Sequence, residues 1–593
     1  MRVPTRVWSP GAKGVVLVDH THARSTPMRP DPGAAGWWRG EDLEGGTDYS
    51  FSPDGAGPFP DPRSRFQPSG VDGPSRAWAP PPPEDPSWIP SPRVEVLGNV
   101  IEEVHVGTFT PEGTLDSAAA RLPHLAELGV TTVELMPLAQ FSGEYGWGYD
   151  GVDLFAVHRA YGGPDALVRF VNRAHGLGLL VCVDVVLNHL GAWGNHLADL
   201  GPYFTDRHDT PWGPGFDLDG PTSAEPRAFL LDVCRHWLVD MHVDALRLDA
   251  VHALHDDSPV HLLAELSDRV TDWERETGRR LTLIAESDLN LVSMVTPRPA
   301  GTGMDAQWAD DVHHAILAAL AGETQGYYAD FADARALPHS LRDVFLHDGR
   351  WSSFRGRTWG GPVPADTDRR RFVVFSQDHD QVGNRARGDR PSESLTSAQL
   401  AAAAALVLTG TFTPMLFQGE EWGTRRPFLF FADQEDEQRA RAVREGRARE
   451  FGAHGWVGDV PDPTSPETLR ASQLDWSEPD LPGHRALLDW YRLLIHIRRE
   501  LPGLHEGGRA WAAREGVVVR RVAGGCALEL TLDGSDLDAH EGARPGWPEG
   551  VPGDLLAAFP ASTGPGVAVR VRSWGRPPDQ SPRTFSTAAR AVR

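Results

Sequence analysis

Four short polar clusters in this chain each follow directly after an apolar run. A single cluster of this kind could be a helix cap or a turn. Four in succession indicate one shared site, because the carboxyl ends of parallel strands meet at the same face of a barrel. The clusters are Asn188-His189, Arg247 with Asp249, Glu286, and Asp378-His379-Asp380.

The second cluster closes the run 243–249, which is typical of a buried strand. Side chains alternate along a strand, so Arg247 and Asp249 point the same way. A cation beside a carboxylate favours its ionised form, which is what a nucleophile needs. Taken alone, the run could equally be a core strand with a structural ion pair. The other clusters favour the catalytic interpretation.

Carboxylates with histidines in one pocket suit cleavage of a glycosidic bond. That chemistry needs one carboxylate as nucleophile and one carboxylic acid as proton donor, with their pKa values pushed apart. Asp249 fits the first role and Glu286 the second. We expect Asp380 to lie near Glu286, to raise its pKa by like-charge repulsion and to stabilise positive charge on the sugar.

A metal centre is the rival use of Asp, Glu and His. The sequence has no H-E-x-x-H motif and no closely spaced ligand set. We therefore expect no catalytic metal and no cofactor.

Apolar runs alternate with helical patterns across residues 93–503, which predicts an α/β fold with a parallel sheet. Eight runs indicate a (β/α)8 barrel with loop insertions. The predicted strands are 100–106, 130–136, 179–186, 243–249, 281–285, 305–308, 372–375 and 413–417. The predicted helices are 115–128, 163–178, 224–241, 259–277, 400–408 and 484–501.

The segments that flank the barrel have the short apolar runs and turn residues of β domains. Residues 1–92 are predicted to form an N-terminal β-sandwich, immunoglobulin-like and of the carbohydrate-binding kind, ended by the Pro-rich linker 80–86. Residues 504–593 are predicted to form a C-terminal β-sandwich domain. The polar tail after Ser573 is expected to be disordered.

Composition narrows the class of partner and the compartment. The net charge of −25 argues against nucleic acid and anionic membrane surfaces as partners. The three cysteines are far apart and form no C-x-x-C motif, which favours reduced thiols in the cytoplasm. The most apolar run, 400–408, is too short to span a bilayer. Oligomeric state is left open.

The four clusters resemble the signature regions of the α-amylase superfamily of retaining glycoside hydrolases, over residues 98–500. The resemblance implies that Asp249 is the nucleophile, Glu286 the general acid/base and Asp380 the transition-state stabiliser. It also implies that His189, Arg247 and His379 hold the sugar at the cleavage point. Tyr149, in the stretch 147–150, matches the ring that stacks on that sugar, with a core tyrosine as the alternative.

Further stretches resemble the maltooligosyltrehalose trehalohydrolase family of that superfamily. They are 147–152, 285–290, 305–314, 326–331, 419–423 and 427–431. The resemblance implies hydrolysis of the α-1,4 bond next to a terminal trehalose of an α-glucan oligosaccharide, in trehalose biosynthesis. Glucan contacts are implied on Arg247, His252, Asp310, Asp311, His314, His379, Gln381 and Asn384.

Two departures from the superfamily pattern leave alternatives open. Asp378 stands where the pattern has Asn, and Leu187 replaces an aromatic residue. A glycogen branching or debranching enzyme is the second hypothesis, which the segment 305–331 and the Glu-Ser-Asp at 286–288 argue against. An inactive glycan-binding protein is the third, and Asp378 is its only support.

The assigned roles of the two central carboxylates can be tested directly. We expect Asp249→Asn and Glu286→Gln each to lose nearly all turnover, because one removes the nucleophile and the other the proton donor. Both proteins should fold, which thermal unfolding checks. A variant with an unchanged melting temperature and a near-normal rate would contradict the assignment.

Overall fold

The computed structural model describes residues 2–210, 212–434, 436–453, 460–501 and 504, and the backbone of five strands beyond residue 508. At its centre eight parallel strands close into a barrel. In chain order they are β1 Ile101–Val104, β2 Thr132–Leu135, β3 Leu180–Val185, β4 Ala245–Leu248, β5 Thr282–Ala285, β6 Ala306–Trp308, β7 Phe372–Val374 and β8 Thr413–Phe417. Every predicted run contains one of these strands, so the predicted barrel is confirmed.

Helices with buried apolar residues cover the outside of the barrel. They are α1 Leu115–Leu128, α2 Gly163–Gly176, α3 Ala224–Arg235, α4 Leu262–Thr277, α5 Asp310–Ala321, α6 Ser397–Leu408 and α7 Pro482–Glu500. A capping box of Thr114 and Ser117 begins α1, and Gly129 ends it at a φ of 100°. That left-handed conformation is readily available only to glycine.

One connection differs from its predicted helix. The predicted helix 224–241 is α-helical only as far as Arg235 and continues as a π-helix, His236–Asp240. Between β5 and β6, where no helix was predicted and every residue is described, the only helical segment is the 3-10 turn Val292–Met294.

The remaining elements lie in the connecting segments. Short helices are Val106–Phe109, Leu197–Leu200, Ala336–Asp343, His379–Gly383, Pro391–Ser394, Glu437–Ala453 and Pro466–Ser472. Further 3-10 turns are Arg159–Tyr161, Val251–Ala253, Gly326–Ala332, Arg369–Arg371, Glu420–Trp422 and Glu478–Asp480. Paired strands are Ala139–Phe141 with Gly151–Val157, Phe204–Thr210 with Gly213–Phe216, and Arg350–Ser352 with Arg357–Trp359.

The N-terminal segment forms two main sheets that share an apolar core. Val7 and Trp38 of one sheet pack in the same cluster as Leu17 and Phe51 of the other, which is the arrangement of a β-sandwich. The first sheet contains Arg6–Trp8, Trp37–Arg39 and Arg29–Pro30; the second contains Arg24–Pro27, Val15–Asp19, Asp48–Pro53 and Ser75–Arg76. Arg2–Val3 pairs separately with Leu43–Glu44. The boundary at residue 92 stays a prediction.

Beyond residue 508 five strands form one antiparallel sheet. In spatial order they are Arg509–Ala512, Val517–Arg521, Ala527–Thr531, Val569–Trp574 and Asp554–Phe559. A second layer is not found among the described residues, so the C-terminal sandwich stays a prediction. The predicted disordered tail and Cys526 lie outside the described residues.

Two observations bear on the expectations from composition. Cys182 and Cys234 are both buried and unpaired. No helix in the described part of the chain is long and apolar enough to cross a bilayer.

A buried arginine links the last barrel helix by hydrogen bonds to the loops before β1 and β8. Arg498, on α7, is 3% exposed. Its Nε donates to the Gly98 carbonyl at 2.9 Å, and its Nη1 donates to those of Leu408 and Gly410 at 3.0 and 2.6 Å. One side chain thus satisfies carbonyls on either side of the seam where the barrel closes.

We expect Arg498→Met to lower the free energy of unfolding by about 3 kcal/mol or more, because it leaves several buried carbonyls without a donor. Urea denaturation measures the change. The matched control is Arg499→Met, since the neighbouring Arg499 is exposed. Equal stability of the two variants would contradict the role given to Arg498.

Candidate active site

The polar clusters predicted from the sequence lie at the carboxyl ends of the barrel strands. Asp249 follows β4 directly and Glu286 follows β5. Arg247, in β4, is the register partner of Asp184 in β3. The barrel therefore brings the acids of three neighbouring strands around one guanidinium.

Arg247 is the buried centre of this group. Its Nη1 donates to Asp249 Oδ1 at 2.7 Å and to Asp184 Oδ2 at 2.8 Å. Its Nη2 lies 3.9 Å from Glu286 Oε2. The guanidinium carbon lies 4.4 Å from the centre of the Trp308 ring. Arg247 pairs with Asp249 as predicted, and it also contacts two further carboxyl groups, those of Asp184 and Glu286.

Asp249 receives donors on both oxygens. Besides Arg247, the Asn188 side-chain amide donates to Asp249 Oδ2 at 3.1 Å and to the Asp249 carbonyl at 2.9 Å. These donors orient the carboxylate. Its side chain remains 14% exposed, so a ligand can reach it from the open end of the barrel.

The surroundings of Glu286 favour its protonated form. Burial raises its pKa to about 8; Arg247 lowers it, whereas the charges of Asp249 and Asp310 raise it further. The Ala250 backbone N–H donates to its Oε2 at 2.5 Å, from a residue whose φ of 39° is left-handed. Glu286 therefore carries a proton at neutral pH.

The predicted effect of Asp380 on the Glu286 pKa stays a prediction. The largest like-charge contributions to the Glu286 pKa come from Asp249 and Asp310. Burial and the Asp380 charge raise the pKa of Asp310 to about 7. Asp380 itself is exposed, and its Oδ1 accepts from the Asn384 amide at 2.6 Å.

Tyr149 and His379 form a second layer behind the carboxylates. The Tyr149 hydroxyl donates to Asp184 Oδ2 at 2.7 Å and lies 2.8 Å from His379 Nε2. The two rings are stacked, with centroids 5.1 Å apart. On the far side, His379 Nδ1 lies 2.5 Å from Glu103 Oε1. Glu103 was not among the predicted residues, although two adjacent acids inside a predicted strand, Glu102 and Glu103, were a signal for it.

His189 lies on the other side of Tyr149. Its Nε2 is 3.1 Å from the Tyr149 carbonyl, and its Nδ1 contacts Asn188 Oδ1. The Trp212 ring stacks on it at 5.0 Å between centroids and is 48% exposed. Trp212 was also missed by the sequence analysis, because it lies in an insertion with no strand-end signal.

The residues predicted on α5 divide into two groups. Asp310 is half-buried beside the carboxylates, as its pKa reflects. His314 lies among aromatic rings, 4.7 Å from Tyr327 between centroids, and burial lowers its pKa to about 4. Asp311 is buried and accepts from the Asn290 amide and the His347 backbone N–H, which indicates that it anchors loops. A contact of Asp311 with substrate stays a prediction.

The other predicted contacts are tied to neighbouring loops. Gln381 Oε1 accepts from the Tyr327 hydroxyl at 3.2 Å. Asn384 Oδ1 accepts from Arg447 Nη1 at 3.1 Å. His252 Nδ1 accepts from the Asp288 backbone N–H at 3.4 Å.

Among the described residues, one set has the spacing of a cation site: His208, Asp219 and Asp257. The Arg207 guanidinium contacts Asp219. The set therefore already has a positively charged partner within the chain.

The two departures from the superfamily pattern are both accommodated. Leu187 is buried in the main apolar core. Asp378 caps the helix His379–Gly383, because its Oδ1 accepts from the Gln381 backbone N–H at 2.6 Å. Burial, with the charges of Glu103 and Asp380, raises its pKa well above the usual range. A neutral carboxylic acid at this position has the shape of an asparagine.

Asp378 should make stability depend on pH. Its pKa is raised in the folded protein, so its contribution is fully present below about pH 4 and is lost as pH rises towards the folded pKa. Asp378→Asn keeps the cap and removes the titration. We expect the melting temperature of the variant to exceed that of the wild type, by a margin that widens from pH 5 to pH 8. A margin independent of pH would contradict a buried neutral Asp378.

Comparisons with known proteins agree with this geometry. The family described as "Alpha amylase, catalytic domain" matches residues 64–200. A malto-oligosyltrehalose trehalohydrolase from Arthrobacter ramosus is 51% identical over 512 residues, which cover 84% of this chain and 87% of that protein. One from Rhizobium sp. (strain M-11) is 48% identical, covering 86% of this chain and 87% of that protein.

A solved structure extends the likeness to three dimensions. The 1.4 Å crystal structure of a Salmonella typhimurium protein, provisionally called an alpha amylase, superposes with a TM-score of 0.84 at 36% identity. The match covers 96% of this chain and 98% of that one. With relatives of this identity and coverage, the chain belongs to the malto-oligosyltrehalose trehalohydrolase family of the alpha-amylase superfamily.

Proposed function

We propose that this site hydrolyses the α-1,4-glucosidic bond next to the terminal trehalose of a maltooligosyltrehalose, with retention, releasing trehalose and a maltooligosaccharide. One observation carries the chemistry: a single guanidinium contacts both Asp249 and Glu286, while burial keeps the proton on Glu286. Family membership supports the substrate, since the named relatives are trehalohydrolases.

In the first step the two carboxyl groups act together. Glu286 donates its proton to the glycosidic oxygen, which leaves as the hydroxyl of trehalose. Asp249 attacks the anomeric carbon of the maltooligosyl part and forms a covalent glycosyl-enzyme. A pKa of about 8 keeps Glu286 protonated for this step at neutral pH.

In the second step Glu286 reverses its role. As a carboxylate it removes a proton from water, and the resulting oxygen attacks the anomeric carbon from the face that trehalose left. Asp249 departs with the electrons of its ester bond. Two inversions give overall retention, and the reaction needs no cofactor.

The surrounding residues bind and orient the glucan. Tyr149 offers a ring for stacking on the sugar at the cleavage point, backed by the His379 ring. His189, with Trp212 stacked on it, adjoins the same position. Asp380, which is exposed, is assigned the stabilisation of the developing positive charge. The remaining predicted contacts are His252, Asp310, His314, Gln381 and Asn384.

A glycogen branching enzyme would form the same covalent intermediate and pass it to a glucan hydroxyl instead of water. Products therefore decide between the two hypotheses. An inactive glycan-binding protein is disfavoured by the intact set of Asp249, Glu286 and Arg247 contacts.

The function is tested with two substrates of matched length, a maltooligosyltrehalose and a plain maltooligosaccharide. We expect free trehalose from the first and little hydrolysis of the second, measured by product chromatography. Asp249→Asn is the matched inactive control. Equal cleavage of both substrates, or new α-1,6 linkages, would overturn the trehalose specificity. No reaction with either would overturn the enzyme assignment.

A further inference from the structure

We propose that Glu103 is a positioning residue for this site: it holds His379 as a hydrogen-bond donor to Tyr149, and so keeps Tyr149 and Asp184 aligned behind Arg247 and Asp249. The inference rests on the proposed function, because it concerns the same reaction. Glu103 makes no direct contact with Asp249 or Glu286 among the hydrogen bonds of the described residues.

Glu103 contacts His379 at two points, the ring and the backbone. Its side chain projects from β1 and the residue is only 1% exposed. Oε1 lies 2.5 Å from the ring Nδ1, and Oε2 accepts from the His379 backbone N–H at 2.9 Å. The two oxygens thus fix both the ring and the backbone of the first residue after Asp378. A buried carboxylate is expensive unless it is paired in this way.

The contacts continue from His379 to the nucleophile. His379 Nε2 is 2.8 Å from the Tyr149 hydroxyl, which is 2.7 Å from Asp184 Oδ2. Arg247 Nη1 then bridges Asp184 Oδ2 and Asp249 Oδ1, at 2.8 and 2.7 Å. This chain of contacts crosses the barrel from β1 to β4.

The direction of these hydrogen bonds depends on Glu103, at the far end of this series of contacts. Glu103 accepts at Nδ1 and the Tyr149 hydroxyl gives its hydrogen to Asp184, so the ring faces two acceptors and satisfies both only when both of its nitrogens carry a proton. Without Glu103 a neutral ring is favoured, and with its proton on Nδ1 it exposes an unprotonated Nε2, which competes for the Tyr149 hydrogen. Asp184 Oδ2 would then lose the Tyr149 donor and accept from Arg247 only. Asp184 Oδ1 already has no partner among the described residues.

The charges around His379 make Glu103 the main partner that favours its protonated form. Burial by itself lowers the pKa of His379, and Glu103 is the first cause that raises it, followed by Asp380; Arg247 lowers it. The result is a pKa above the usual value. The titratable and charged groups that face or adjoin the ring are Glu103, His105, Tyr149, Asp184, Arg247, Asp378 and Asp380.

Glu103→Leu tests the role at similar volume, because it removes both acceptors from His379. We expect kcat/KM to fall about 10- to 100-fold at pH 7, the size of one lost charge-assisted hydrogen bond. We expect Glu103→Gln to recover part of this loss. When its amide oxygen accepts from the His379 backbone N–H, its NH2 group faces Nδ1, so a neutral ring keeps its proton on Nε2 and still donates to Tyr149.

The barrel offers a matched control in Glu134, the β2 neighbour of Glu103 in register. It is also fully buried, and burial raises its pKa well above the usual range, so Glu134→Leu removes no charge. We expect the Glu134→Leu enzyme to keep its rate within about twofold. Glu103→Leu activity as high as that of Glu134→Leu, or no recovery in Glu103→Gln, would overturn the proposal.

A double-mutant cycle covers the case in which Glu103→Leu folds poorly. Glu103→Asp keeps the charge on a shorter side chain, so it enters the same cycle with His379→Gln. If Glu103 acts through His379, adding either Glu103 variant to His379→Gln costs little more. Fully additive losses would overturn the proposal. Each variant is compared with the wild-type enzyme on the α-glucan that the wild type cleaves. A wrong substrate assignment then shows in the wild-type products, whereas a wrong role for Glu103 shows in the ratio of variant to wild-type rate.

Discussion

The site depends on one buried cation. Arg247 contacts Asp249, Asp184 and Glu286 at 2.7, 2.8 and 3.9 Å. Three acids this close to one another would repel strongly in a buried environment, and an unpaired buried guanidinium would cost several kcal/mol. Each group is therefore stable there only because the others are present. The strand register that aligns Asp184 with Arg247 makes the arrangement part of the fold.

Burial then separates the roles of the two central carboxyl groups. Asp249 faces the guanidinium and an asparagine amide, both of which orient it for attack. Glu286 lies farther from the guanidinium, and its pKa rises to about 8. The same surroundings raise the pKa of Asp310 to about 7 and of Asp184 to about 6. Separate environments for similar groups are how one pocket supplies both a nucleophile and an acid.

The second layer shows how a charged residue is tolerated inside a barrel. Glu103, His379 and Tyr149 each satisfy the next, so every step is a short polar contact within an otherwise apolar interior. Asp378, next to them, is accommodated as a neutral acid whose one engaged oxygen caps a short helix. The departure from asparagine at this position therefore leaves the local geometry in place.

The sequence by itself determined the barrel and the order of its polar clusters. Strands buried on both faces are continuous apolar runs, as in Leu180–Val185 and Thr413–Phe417, and such runs are visible without a structure. The positions of Asp249 and Glu286 at strand ends followed from the same pattern. The π-helical end of the predicted helix 224–241, at His236–Asp240, did not, because a local apolar pattern does not separate α-helical from π-helical hydrogen bonding.

Only the tertiary structure decided which groups act on one another. It placed the charge of Asp310 close enough to raise the pKa of Glu286, and it brought Glu103 to His379 across 276 residues of chain. It also set the protonation of Asp378 and Glu286. The physical reason is that pKa values and hydrogen-bond partners depend on burial and on distances between distant segments, about which a local sequence pattern carries no information.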